Sequence, residues 1–299
     1  MEIINKLPKL IKRQKILAAY FYLIGRNTEK ATLYYKHLFL LSKEFNLRDA
    51  YDFLPYKFGP YSFTLQNDLR VLEERGVLKN LDLLKDYLSQ LDQEDIDKLV
   101  SFFEKYRKIL LNVDDVVRLT YKEYPYFAIN SEIVSKFPDI KKNAFLIKEK
   151  INAQQELTLF TLGYESRSIE DFFNLLIQNN INSLVDVRCN RFSMKFGFSD
   201  GKLSFFCKSL GIDYVPFSEL GIESDKRQNL HLQEDYDKLF LEYRRQLPSK
   251  KIHLNKLRKL LLQKKRIALM CFELEPHMCH RTPLAEELLS GKNIPFISL

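Results

Sequence analysis

Residues Leu157–Arg188 read LTLFTLGYESRSIEDFFNLLIQNNINSLVDVR, and this stretch decides the fold. LTLFTLG is a short apolar run closed by a glycine, the pattern of a buried strand followed by a turn. Ser168 stands where a helix N-cap belongs, and Asp171 follows three residues later in a capping-box arrangement. Apolar residues at helical spacing continue to about Asn179, and NSLVDVR (Asn182–Arg188) is a second apolar strand. Strand, helix and strand in so short a span make a βαβ unit, which requires a parallel pairing.

The alternation continues downstream. A helix is predicted near Lys202–Leu210, a strand at IDYVPF, and long helices from Tyr236. RIALMCF is a further strand, TPLAEELLSG a helix and IPFISL a last strand. The expected fold class is α/β: a largely parallel sheet domain over 151–299, behind a mainly helical domain over 1–150. In open parallel sheets the crevice lies at the carboxyl ends of the strands. Here the polar residues collect at those ends: Tyr164, Glu165 and Arg167 after one strand, Asp186 and Arg188 on another. Glu219 precedes Gly221 after a third, and Glu273 to Arg281 follow a later one.

Upstream, residues 3–24 and 31–45 show helical spacing, separated by GRNTEK. Ser62 is the expected N-cap of a helix from Phe63 to Arg75, with Leu65, Leu69 and Leu72 on one face and Gly76 as its stop. Val77-Leu78 then reads as the start of a strand or wing. That order is the order of a winged helix-turn-helix, whose recognition helix would present Thr64, Gln66, Asn67 and Arg70 to DNA. The alternative is a protein-docking module. Residues 81–121 are helical and acidic, and 124–155 read as a connection to the second domain.

The net charge of +8 favours an anionic partner. Between Pro248 and Phe272 there are eight Lys or Arg and no acid, with Lys250, Lys251 and Arg258 as candidate nucleic-acid contacts. Four cysteines in a chain of 299 residues do not make a disulfide framework. The apolar ILAAYFYLIG near the start reads as a core helix rather than a signal peptide, because no small-residue cleavage site follows. No run reaches transmembrane length, so a cytoplasmic protein is expected.

TLGYESRSIEDF, LVDVRCNRFSMKFGFSDGKL, GIDYVPFSELGI, DYDKLFLEYRR and LMCFELEPHMCHRTPLAEEL resemble, in that order, the domain of unknown function 488 family. The resemblance spans nearly all of 157–290, and the first half resembles the helix-turn-helix region found fused to that domain and, more loosely, a Panacea-type antitoxin domain. It implies an α/β fold and a shared site. One departure is Ser193-Met194-Lys195, where the family often has Ser-Arg, so the basic role passes to Lys195 or is weakened.

Three chemistries compete for CFELEPHMCHR (Cys271–Arg281). Structural zinc uses closely paired cysteines and histidines. Cys271, His277, Cys279 and His280 do not follow that spacing, and adjacent Cys279 and His280 are not expected to face one ion. No metal and no cofactor are therefore predicted. A cysteine nucleophile in a phosphatase- or rhodanese-like loop fits poorly with a stretch that lacks glycine. The third reading is an anion pocket in which Arg281, Arg188 and Arg167 hold phosphate or carboxylate, with Glu165, Lys195 and Cys279 beside them. Glu273 and Asp186 would activate water or stabilise a cationic transition state, His280 donate a proton and Tyr164 stack on a base or sugar. The expected function is a nucleic-acid-directed hydrolase, cutting a glycosidic or phosphodiester bond in repair or defence against foreign DNA. The rivals are a DNA-binding regulator that senses a nucleotide-like ligand, and an antitoxin-like interaction protein.

Overall fold

Ile16, Leu17, Ala18, Ala19 and Tyr20 are all buried in helix α1 (Lys12–Ile24), which runs through the core of the first half of the chain. The computed structural model describes residues 7–25, 31–47, 51–227, 230 and 232–299. The expected helical start at residues 3–6 and most of the GRNTEK break lie outside the described residues. The chain divides into two compact units, Met1–Lys148 and Glu149–Leu299.

The first unit is mainly helical. α2 (Ala31–Glu44) follows α1, and then a two-stranded antiparallel hairpin, β1 (Leu54–Tyr56) and β2 (Gly59–Tyr61). α3 (Phe63–Glu74) starts at Ser62, whose hydroxyl accepts from the Leu65 amide at 3.1 Å. Its buried Asp68 holds α3 to α1, accepting from Arg13 Nε at 2.7 Å and Gln14 Nε2 at 2.8 Å. Val77–Lys79 form a 3-10 turn, not the expected strand. Gly76 takes a left-handed φ of 70°, which turns the chain back so that Val77 drops into the core. The paired strands instead precede α3, in LPYKFGPY.

α4 (Leu81–Leu88), α5 (Gln93–Tyr106) and α6 (Val113–Glu123) follow, each capped by an Asn or Asp side chain. The stretch expected to be a plain connection contains α7 (Pro138–Asn152). Ile140 and Ala144, four residues apart, pack with Phe137 against Val117 and Tyr121, which gives that helix a buried face.

The second unit is the expected α/β domain. Its strands are β3 (Thr158–Gly163), β4 (Ser183–Asp186), β5 (Asp213–Pro216), β6 (Arg266–Cys271) and β7 (Phe296–Ser298). They form one parallel sheet in the order β5-β4-β6-β3-β7. The crossovers carry α8 (Ile169–Gln178), α9 (Asp200–Leu210), α10 (Gln233–Gln246), α11 (Lys251–Lys264) and α12 (Arg281–Leu289). Leu159, Val185, Ile267 and Leu269 pack with Leu254, Leu257, Leu261 and Leu284, so α11 and α12 cover one face. The right-handed rule for parallel crossovers puts α8 and α9 on the other. β6, made late in the chain, inserts between β3 and β4. The chain therefore leaves β3 and β6 in opposite directions, which creates a topological switch point at their carboxyl ends.

Gly163 ends β3 directly opposite Cys271. A Cβ on Gly163 would overlap the backbone carbonyl of Glu273 and touch the Arg281 guanidinium. Gly163→Ala is expected to displace the loop after β6 and to cost about 2–3 kcal/mol by overpacking. Urea denaturation checks it, and a loss below ~0.5 kcal/mol would show that the loop yields freely.

Candidate functional site

The loops leaving β3, β4 and β6 build the site. After β4, Arg188 folds back on Asp186, donating through Nε to Oδ1 at 2.9 Å and through Nη2 to Oδ2 at 2.7 Å. Tyr214, on β5, donates its hydroxyl to the same Oδ2 at 2.7 Å. The Arg188 amide adds a bond to Oδ1 at 3.1 Å. Asp186 is fully buried and its oxygens are occupied by four donors. Burial acts against the Arg188 charge, and the Asp186 carboxylate more than offsets it, so its pKa is raised. Its Nη1 donates to the Tyr164 hydroxyl at 2.8 Å. The Tyr164 ring is buried and stacks on Phe198, 4.2 Å between centroids and 10° between planes.

Arg281, the first residue of α12, is fully buried. Its guanidinium donates to the carbonyls of Glu273 and, at 2.8 Å, Leu274. The loop after β6 has left the sheet and would otherwise strand those carbonyls, so Arg281 supplies the missing donors. The Glu165 carboxylate accepts from the Leu274 amide at 3.0 Å and clamps the same loop from the β3 side. Arg167 pairs with Asp171 at 3.3 Å, one turn on in α8. Lys195 donates to the carbonyls of Tyr164, at 2.8 Å, and Glu165. Partial burial lowers its pKa against the opposing charge of Glu165.

Beside these side chains is a cleft of ≈ 470 Å³, within the size range of small-ligand sites. Tyr164, Arg188, Phe192, Lys195, Arg227 and Phe272 line it. Phe192 and Phe272 are exposed, and Arg227 is ion-paired with Glu273. Sequence reasoning missed Arg227, Phe192 and Phe272. Arg227 lies in a 3-10 turn of the β5–α10 crossover, where one more basic residue gives no signal. A second cavity of ≈ 280 Å³ shares Cys189 with the cleft and is walled by Tyr243 and Lys250.

His280 and Cys279 are not on the cleft. Both are buried, together with Cys271. His280 Nε2 lies 3.0 Å from the Val187 carbonyl, while Nδ1 faces Cys271 Sγ at 3.7 Å and Cys279 Sγ at 4.0 Å. Adjacent Cys279 and His280, not expected to face one ion, here turn Sγ and Nδ1 to the same side. Cys279 is extended (φ −131°, ψ 138°) and His280 turns into the helix (φ −65°, ψ −15°), and this change of backbone swings both side chains to one side. Cys271 is held well below the usual thiol pKa, first by its hydrogen bond with Cys279 and then by His280. Burial pushes Cys279 well above it.

The expected nucleic-acid contacts fall in both units, on α3 and at the start and middle of α11. On α3, Gln66 accepts from the Tyr35 hydroxyl at 2.7 Å, Arg70 pairs with Glu74 at 2.5 Å and reaches Asn67 at 3.4 Å, and Thr64 is half-buried. On α11, Arg258 caps α12 by donating to the Glu287 and Leu288 carbonyls at 2.9 and 3.2 Å. Lys251 is exposed and Lys250 is half-buried. Among the described residues, no helix is long and apolar enough to cross a membrane.

Residues 168–288 match the family described as Domain of unknown function DUF488. No curated protein and no solved structure matches the chain.

Proposed function

We propose that the second half of the chain takes a nucleotide unit, within a nucleic-acid strand, into the strand-end cleft and hydrolyses its glycosidic or phosphodiester bond. The observation that carries this reading is the lining of the cleft: the cations of Arg188, Lys195 and Arg227 stand beside the exposed rings of Phe192 and Phe272. Cations take phosphate, and an aromatic ring takes the face of a base. Glu273, paired with the cleft residue Arg227, is the carboxylate for activating water. The first half and the exposed lysines of α11 would hold the rest of the strand. Repair or defence against foreign DNA suits such an activity.

A second reading is a regulator that senses a nucleotide-like ligand without chemistry. It is favoured by Asp186, His280 and Arg281, whose charged or polar atoms are buried and face the protein.

Fluorescence titration with a single-stranded oligonucleotide, over a salt series, tests both. Arg227→Ala and Lys195→Ala are each expected to weaken binding about tenfold, the scale of one charged hydrogen bond. No binding by the wild type at low salt would end both readings. Incubation with modified and unmodified DNA then separates them. Abasic sites or strand cuts that vanish in Glu273→Gln support hydrolysis, whereas binding with no product on any substrate supports the sensor.

A further inference from the structure

We propose that Cys271, Cys279 and His280 form a three-ligand site for a thiophilic divalent cation, Zn²⁺ foremost. The two Sγ atoms and one imidazole nitrogen lie within 4.8 Å of one another, and all three residues are buried. The histidine is set up as a ligand. Its Nε2 lies 3.0 Å from the Val187 carbonyl, an acceptor only, so that nitrogen carries the proton. Nδ1 then turns its lone pair to the sulfurs. A backbone carbonyl fixing the far nitrogen of a ligating histidine is the usual outer partner at metal sites.

Both sulfurs approach that same Nδ1, Cys271 at 3.7 Å and Cys279 at 4.0 Å. Two cysteine sulfurs and one imidazole nitrogen are a donor set that suits a soft or borderline divalent cation. The donors also come from two elements, Cys271 from the end of β6 and Cys279-His280 from the start of α12. A bound ion would therefore staple the loop between them.

Three protein ligands are the number found where a fourth position stays open. Glu273 Oε2 lies 3.3 Å from Cys271 Sγ but outside the three-atom cluster. In the hydrolytic reading above, that carboxylate would lie near a bound ion. The metal claim itself rests on the triad alone and is tested without any activity.

The test uses the reduced full chain and titrates Zn²⁺ and Co²⁺. One retained Zn²⁺ per chain is expected, together with a Co²⁺ complex showing thiolate-to-metal charge transfer and strong tetrahedral visible bands. Cys279→Ser is expected to bind at least about tenfold more weakly, a loss comparable with those seen on disturbing metal-site ligation. Cys189→Ser, which changes an exposed cysteine, keeps wild-type affinity. Wild-type protein that keeps no Zn²⁺ through gel filtration and gives no charge-transfer band overturns the proposal. That result is independent of whether Cys279→Ser folds.

Discussion

Asp186→Ala is expected to cost about 3–5 kcal/mol of stability, the scale for removing one partner of a buried ion pair. The carboxylate and its partner Arg188 are 0% and 5% exposed, so solvent does not replace the lost charge. The substitution leaves the Arg188 guanidinium with only the Tyr164 hydroxyl, and frees the Tyr214 hydroxyl from its acceptor. Urea denaturation reads the change as a lower midpoint with an unchanged slope. Asp186→Leu combined with Arg188→Met removes both charges and is expected to be less damaging than the single change. A single variant within about 1 kcal/mol of wild type would show that the pair contributes little, and would return Asp186 to the catalytic candidates.

The second large effect lies in the first half, at Lys36. Its side chain is 1% exposed, and its Nζ donates to the Phe58 carbonyl at 2.5 Å. Among the described residues no carboxylate pairs with it. Burial lowers its pKa from 10.5 to about 7. Between those values the unfolded chain binds more protons than the folded one, so stability rises as pH increases from about 7 towards 10.5. Below that window both states are protonated, and the burial cost is at its greatest. The span is at most of the order of 5 kcal/mol. Lys36→Met removes the cost but strands the Phe58 carbonyl, for a net gain of about 1–3 kcal/mol at neutral pH. Denaturation midpoints at pH 7 and pH 9.5 check both signs. A wild type whose stability is flat across that interval would sink the account.

Much of the architecture was legible because its causes are local. Apolar runs with period two or 3.6, the side chains of Ser62 and Ser168 as caps, and Gly163 as a strand stop all act within a turn or so of their own position. The Val77 wing was misread for the same reason: a short apolar run after a glycine has no local feature that separates a strand from a 3-10 turn. Residues 138–152 were read as a connection because their buried face is only Ile140 and Ala144, too sparse a stripe to stand out. The site was legible to the level of loops. Strand-end loops after β3, β4 and β6 meet at the switch point, and the cleft lies there.

The sequence by itself determined the strands and helices of the second half, that its sheet is parallel, and which edge carries the polar loops. Tertiary structure alone decided what each polar group faces. With β6 inserted between β4 and β3, the loop after Cys271 comes under Gly163, and Arg281 is drawn onto its carbonyls. The same placement turns Asp186 to Arg188, opens the cleft to Arg227 and brings two sulfurs to one imidazole nitrogen. The physical reason is that burial and hydrogen-bond partnership are properties of groups distant in the chain. They follow from strand order and loop path, and neither is written in the spacing of neighbouring residues.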